Sequence, residues 1–243
     1  MIVNNRQLIF FPTLNEESNV VPLIEELRNL YLNSDFLVID DNSIDNTVVN
    51  LSKLKIKNLT VLVRDRDLGI GSAHKHALRY AMAKNYEILI TLDSDGTHRP
   101  VDILAIINQL NTFDLVVGSR FLRNGAIFGW SRSREFLTKS GHFITKLGLG
   151  VPYDCSSGMR GYNLLNNSFE DVLNIDGDNF DFFYKSLFAF HLTNPGKIGE
   201  VPLTLLPRAS GTSKLTIKLA TVSIVGLLID ILKFRLVYRT KLN

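Results

Sequence analysis

Short apolar runs alternate with longer amphipathic stretches through the first half of the chain. Leu8–Phe11, Phe36–Ile39, Leu59–Val63, Ile88–Leu92 and Leu115–Gly118 are four- or five-residue runs of the length of a buried strand. Between them Glu16–Leu32, Asp45–Leu54, Ser72–Lys84 and Val101–Asn111 carry apolar residues on one helical face. Asn15 is placed to cap the first of these helices, with Glu16 and Glu17 in its first turn. Strands that are almost wholly apolar and separated by helices predict an α/β fold, a Rossmann-like, mostly parallel sheet with helices on both faces. In such sheets the binding groups gather at the carboxyl ends of the strands.

After Gly118 the rhythm changes. Residues 120–134 hold four arginines and read as a mobile loop. Helices are expected over Ser133–Leu147 and Phe180–Phe190, and strands over Gly158–Asn163 and Lys197–Leu203, the latter closed by Pro202 and followed by a loop, Leu206–Lys214. Residues 215–243 read as a C-terminal amphipathic helix appended to a domain formed by residues 1–214. Its uncharged core, Leu219–Ile229, has 11 residues between Lys218 and Asp230, whereas a membrane-spanning helix needs about 20. Flanking Lys214, Lys218, Lys233, Arg235, Arg239 and Lys241 suit a helix lying in a membrane interface. Docking on the protein's own core or on a second subunit is the other reading.

Composition narrows the class. Of 243 residues 45% are hydrophobic and 21% charged, a globular balance. The single Cys155 has no disulfide partner within the chain, and no secretory signal opens the sequence. Both suit a cytoplasmic protein or one on the cytoplasmic side of a membrane. The net charge of +3 is unevenly spread: residues 1–119 carry 11 basic against 15 acidic side chains, and residues 120–243 carry 16 against 9. The basic second half calls for an anionic partner. Nucleic acid is disfavoured, because the basic residues lack an interleaved aromatic platform.

Three strand ends carry acidic or amide groups: Asn15-Glu16, Asp40-Asp41 and Asp93-Ser94-Asp95. On one sheet they would line a single edge. Asp93 and Asp95 point to the same side of an extended chain and suit Mg²⁺ or Mn²⁺ bridging the protein to a diphosphate; the other reading is an Asp-rich turn before Pro100. Asp41 or Asp40 can accept hydrogen bonds from a nucleoside, or cap the next helix. His98, three residues beyond Asp95, can reach phosphate or metal. Gly69-Ile70-Gly71 holds two of the three glycines of a dinucleotide fingerprint and reads as a tight turn. Arg120, Arg123, Arg132, Arg134, Lys139 and Lys146, with Arg208 and Lys214, can grip anionic groups. Cys155 reads as a packed side chain, and no Ser-His-Asp arrangement can be built.

Pro12-Thr13-Leu14-Asn15-Glu16-Glu17, Val38-Ile39-Asp40-Asp41-Asn42-Ser43 and Asp93-Ser94-Asp95-Gly96-Thr97-His98-Arg99-Pro100 resemble the family 2 glycosyltransferases of GT-A fold. Leu68–Ala73, Val117–Arg120, Ser156–Arg160 and Arg208–Leu215 make the chain most similar to the polyprenol-phosphate (dolichol-phosphate) mannosyltransferases. The resemblance implies transfer of a hexose, mannose from GDP-mannose by default, to a polyprenyl phosphate with inversion. A UDP-sugar donor or a sugar-hydroxyl acceptor is the alternative. It also implies roles. Pro12, Leu14, Glu16, Ile39, Asp41, Asp93, Ser94, Asp95, Arg208 and Lys214 would bind the donor. Asp95 and Thr97 would take the metal, Mg²⁺ or Mn²⁺, and Arg120, Arg134 and Thr138 the acceptor phosphate. Asp95, Arg120 and Arg134 would carry catalysis. Leu14 replaces a usual aromatic, Thr97 a better ligand and Thr138 a common Ser. The implied surroundings are a membrane surface, with a homo-oligomer or membrane-subunit partner.

Overall fold

A computed structural model describes residues 6–166, 169–211 and 223–234. Its centre is a seven-stranded sheet, β1 (Gln7–Thr13), β2 (Asp35–Asp40), β3 (Leu59–Val63), β4 (Ile88–Thr91), β5 (Leu115–Ser119), β7 (Arg160–Asn163) and β8 (Ile198–Pro202), in spatial order β3-β2-β1-β4-β7-β5-β8. All neighbours run parallel except β7, which is antiparallel to both β4 and β5. Cover on both faces accounts for the apolar runs within β1, β2, β4 and β5, whereas β7 reads Arg160-Gly161-Tyr162-Asn163 with Arg160 fully buried. Leu8 and Phe10 of β1 enter one core while Ile9 and Phe11 enter the other; Leu37 and Ile39 of β2 part from Phe36 and Val38 in the same way.

One core lies under α1 (Val20–Leu30), α2 (Thr47–Lys53) and α4 (Ile103–Gln109, entered by a 3-10 turn at Pro100–Asp102). The other lies under α3 (Ile70–Ala83), α6 (Glu170–Leu173) and α7 (Asp181–Thr193). The first crossovers build outward through β2 and β3, and the chain then returns to β4 beside β1. The reversal of winding opens a crevice at the carboxyl ends of β1 and β4.

The expected α/β architecture and mostly parallel sheet hold. The first helix, however, begins at Val20 rather than Glu16. Asn15 adopts a left-handed backbone (φ 54°), and its side chain accepts the Ile44 N–H at 2.9 Å, so it joins two loops and caps no helix. Residues 120–134 are more than a loop. Within them β6 (Ala126–Ile127) pairs in parallel with β9 (Thr204–Leu205), which neither pattern announced. α5 (Arg132–Leu149) follows, its N-terminus capped by the Ser131 hydroxyl.

Residues 223–234 are helical and two-sided. Leu227 and Ile231 are buried, Tyr184 donates to Asp230 at 2.7 Å, and Phe188 meets Phe234 edge-on, while Val225, Leu228, Ile229 and Leu232 are exposed. One face therefore docks on the protein's own core and the other is left apolar toward solvent. The remainder of the expected helix, residues 215–222 and 235–236, lies outside the described residues, as does Lys214. Among the described residues no helix is long and apolar enough to cross a membrane.

His74 of α3 is enclosed by Phe10, Phe182 and Phe183, with neither ring nitrogen hydrogen-bonded. Burial, reinforced by Arg160, pushes its pKa from 6.5 down to about 3. Between these values the unfolded chain binds a proton that the folded one excludes, so this ring lowers stability as pH falls. The unfolding free energies of His74→Leu and the parent should therefore diverge by about 2 kcal/mol between pH 7.5 and 5.0, in favour of the variant. Parallel urea titrations at the two pH values check this, and a pH-independent difference would refute it.

Candidate active site

The acidic strand ends meet at the crevice. The Ser94 hydroxyl donates to the Pro12 carbonyl at 2.7 Å, joining the ends of β4 and β1. Glu16 lies buried beyond β1, its backbone N–H held by the Thr47 hydroxyl at 2.7 Å and its Oε2 by the Asn19 amide at 2.7 Å. Facing it, Asp95 receives the Thr97 N–H (3.1 Å) and hydroxyl (2.6 Å) on Oδ1. Arg208 stands between the two acids, giving Nη1 to Asp95 Oδ2 at 3.0 Å and Nη2 to Glu16 Oε1. Its loop is laid against the acidic turn, with Leu206 N–H to Thr97 O (2.9 Å) and Ala209 N–H to Asp95 O (3.1 Å). Gly96, at φ 77°, permits this approach, because a Cβ there would lie 2.8 Å from that of Ala209.

Asp93 has a different setting. Its Oδ1 is buried without a hydrogen-bond partner, against a Gly158 position where a Cβ would come within 2.8 Å. Its carboxyl pKa is pushed up by burial, with Asp95 adding to the rise and His98 opposing it. Nδ1 of the buried His98 accepts the Asp93 N–H at 2.9 Å. That nitrogen is thereby occupied in the turn, so the expected reach of His98 to phosphate or metal does not extend to it.

These groups fit a hard divalent cation. Asp95 Oδ2 already faces a cationic side chain, Asp93 Oδ1 lacks any donor, and few protein oxygens are offered, which leaves places for phosphate oxygens and water. No cluster of three or more His, Cys, Asp or Glu side chains able to hold a metal occurs among the described residues.

On the β2 side the two adjacent aspartates divide. Asp40 is fully buried and takes the Thr13 hydroxyl (2.7 Å), the Ser43 hydroxyl (2.6 Å) and the Ser43 N–H (2.8 Å), which makes it a loop tie. Asp41 meets the crevice but is already paired. Arg64 donates to its Oδ1 through Nε (2.8 Å) and Nη2, and Gly69 N–H donates to Oδ2 at 2.8 Å. Gly69, at φ 125°, lies so close to Asp178 that a Cβ would sit 2.3 Å from its carbonyl oxygen, the tight approach expected of this turn. Pro12 and Ile39 are the strand-end neighbours of this region, paired in register across β1 and β2, and Leu14 is half-exposed at its rim.

The third side is basic. Because β7 runs backwards, its incoming loop rather than its outgoing one arrives at this edge and carries Asp154, Ser156 and Gly158. Asp154 is fully buried and clamps Arg120, taking Nε at 2.8 Å, Nη2 at 2.7 Å and the backbone N–H at 3.2 Å. Burial alone would raise the Asp154 pKa, but the Arg120 guanidinium outweighs it and holds the carboxyl below the ordinary range. Arg134, on the first turn of α5, lies with its guanidinium over the Trp130 ring, 3.9 Å from the centroid. Thr138 follows one turn later on the same face of α5. Trp130 and Phe121 thus interleave with Arg120 and Arg134, a local platform contrary to the sequence expectation.

A model of the family described as Glycosyl transferase family 2 matches residues 8–172. This chain belongs to that family. The transferase is 30% identical to the undecaprenyl-phosphate mannosyltransferase of Micrococcus luteus, over 87% of this chain and 88% of that one. It is 26% identical to the polyprenol monophosphomannose synthase of Mycolicibacterium smegmatis, over 87% and 81%. Its fold is similar to that of glucosyl-3-phosphoglycerate synthase from Mycobacterium tuberculosis, solved with Mn²⁺, UDP-glucose and phosphoglyceric acid. The TM-score is 0.70 at 17% identity, covering 95% of this chain and 81% of that one. The glycosyltransferase therefore has the GT-A fold.

Sequence reasoning assigned no role to three residues at this candidate site: Arg64, Asp154 and Trp130. Asp154 and Arg120 are 34 positions apart, and only the reversed β7 brings them together. Removing one partner of a buried ion pair costs about 3–5 kcal/mol. Asp154→Ala should lower the unfolding free energy of the transferase by that amount in urea titration, and Asp154→Asn, which keeps an acceptor, by less. A loss under ~1 kcal/mol for Asp154→Ala would show that Arg120 is held by other groups.

Proposed function

We propose that this glycosyltransferase moves a hexose, mannose from GDP-mannose, onto the phosphate of a polyprenyl lipid with inversion at the sugar carbon. The observation that carries the reading is the state of Asp154, the buried carboxylate nearest the basic side. It is locked by Arg120 and Ser156 and is not free to take a proton. A hydroxyl acceptor calls for a general base, whereas a phosphate monoester, with a second pKa near ~6, arrives largely ionised. The mannosyltransferases among the relatives support the same acceptor and sugar.

The donor's nucleoside lies toward Pro12, Leu14, Glu16, Ile39 and Asp41, with its diphosphate at Asp93, Ser94 and Asp95. Asp95, with Thr97 beside it, holds the Mg²⁺ or Mn²⁺, and when bound the ion neutralises charge on the leaving diphosphate. The fold relatives solved with Mn²⁺ or Mg²⁺ support such an ion. Arg208 exchanges its carboxylate partners for the donor's phosphates, and Lys214 joins it from the following segment. Arg120 and Arg134, with Thr138, orient the acceptor phosphate for in-line attack. Because that acceptor resides in a bilayer, the enzyme works at a membrane surface, on the cytoplasmic side. Exposed Phe136, Phe143 and Leu147 along α5, and exposed Val225, Leu228, Ile229 and Leu232 on the helix that meets α5 at Gly148, support this placement.

The full chain, given Mn²⁺, a short polyprenyl phosphate and a panel of nucleotide sugars, should form a lipid-linked hexose most rapidly from GDP-mannose. Asp95→Asn should lose about 100-fold or more of that rate. Transfer only to sugar hydroxyls would sink the acceptor assignment, and an undiminished Asp95→Asn enzyme the metal assignment.

A further inference from the structure

Arg120 and Arg134 are unequal. Arg120 spends Nε and Nη2 on Asp154, and Nη2 also on Ser156, so most of its fork and its charge are already answered. Arg134 makes no ion pair among the described residues, and its Nε is buried without a hydrogen-bond partner. It also occupies the first turn of the 18-residue helix α5, where the helix dipole repels a cation and attracts an anion. Burial pushes its guanidinium pKa below the ordinary value, with Asp95 opposing that effect and Arg120 adding to it. A partly desolvated cation placed in this way needs something to hold it in one orientation, and no carboxylate among the described residues does so.

What Arg134 does have is Trp130. The guanidinium carbon sits 3.9 Å from the centre of the indole, within the range of a cation–π contact. Trp130 itself packs against the core beneath α1 and α4. Gly129 next to it, at φ 72°, is pressed on Pro207, where a Cβ would come within 2.6 Å of the proline ring. The indole is therefore a fixed surface and the arginine rests on it.

The geometry points to Trp130 as a positioning residue for the acceptor. Its ring holds the Arg134 guanidinium 3.9 Å from the indole centre, so that a pre-oriented fork with no ion-pair partner among the described residues meets a monophosphate. The inference deepens the acceptor reading above and rests on it. Arg134 supplies the main grip, Arg120 is an immobilised edge of the site, and Trp130 removes the ordering cost that a free arginine would incur on binding.

Trp130 is the only tryptophan of the chain, so its fluorescence reports on the site directly. In the full-length parent, farnesyl phosphate should quench or shift this emission saturably, and farnesol should not. By calorimetry, Trp130→Leu should bind farnesyl phosphate about tenfold more weakly and Trp130→Phe a few-fold more weakly. In turnover, Trp130→Leu should raise the KM for the lipid phosphate by a similar factor, leaving the KM for the nucleotide sugar and kcat within about twofold.

A merely structural role would instead move the donor KM and kcat together, and that result overturns the inference. Equal farnesyl phosphate affinity in parent and Trp130→Leu overturns the inference alone and leaves the acceptor reading standing. A parent that binds no farnesyl phosphate overturns both. If Trp130→Leu unfolds, Trp130→Phe decides on the same measurements: a loss of affinity at unchanged donor KM supports the inference, and unaltered affinity refutes it.

Discussion

A guanidinium between two carboxylates sets the terms for this site. Parallel strands lie about 4.8 Å apart, so the neighbouring ends of β1 and β4 force Glu16 and Asp95 toward one another. Charges of the same sign at such a place require a cation, and Arg208 provides it to both. That requirement accounts for much of the surroundings. The arginine's loop must lie along the acidic turn, hence the backbone bonds to Thr97 and Asp95, and the turn must be bare, hence Gly96. Arg208 stands where the two carboxylates make a cation welcome.

The opposite problem arises a few residues away, where Arg120 and Arg134 are the like charges. The fold treats them by different means. Arg120 receives a buried counter-charge from Asp154 and is fixed by it, at the cost of most of its hydrogen-bonding capacity. Arg134 receives an aromatic face, which satisfies none of its donors and leaves its charge uncancelled. Arg120 is thereby held in one place and Arg134 has no ion-pair partner among the described residues, a difference that net charge over residues 120–243 does not convey.

The strands and helices up to Ser119 were legible because burial on both sheet faces leaves a continuous apolar signature, and β3 matches its expected bounds in full. The acidic strand ends were legible for the same reason, since they terminate those runs. Legibility fails where tertiary contact overrides local pattern. Asn15 has the chemistry of a helix cap, yet its side chain is taken by the Ile44 N–H of the loop after β2. Asp40 and Asp41 look alike in sequence and separate only because one side chain turns into the loop and the other toward Arg64. Asp154, Trp130 and the two-residue strands β6 and β9 gave no periodic signal at all. Asp154 meets Arg120 34 positions away and β6 meets β9 far along the chain, while Trp130 touches Arg134 only through its ring face, and the reversed β7 that delivers Asp154 cannot be told from a parallel strand by its composition.

The pairing of β6 with β9 joins the segment that carries Trp130 to the segment that carries Arg208. It consists of two register pairs, Ala126 with Thr204 and Ile127 with Leu205, and its rungs are main-chain bonds, from Ala126 N–H to Leu203 O at 3.1 Å and from Phe128 N–H to Leu205 O at 2.9 Å. Main-chain rungs do not depend on which side chains the strands carry. The two segments are thus yoked by a mechanical linkage indifferent to mutation at its own positions. Sequence drift can change the side chains of either segment while the yoke between them persists, provided that proline is kept out of the donor positions at Ala126 and Phe128.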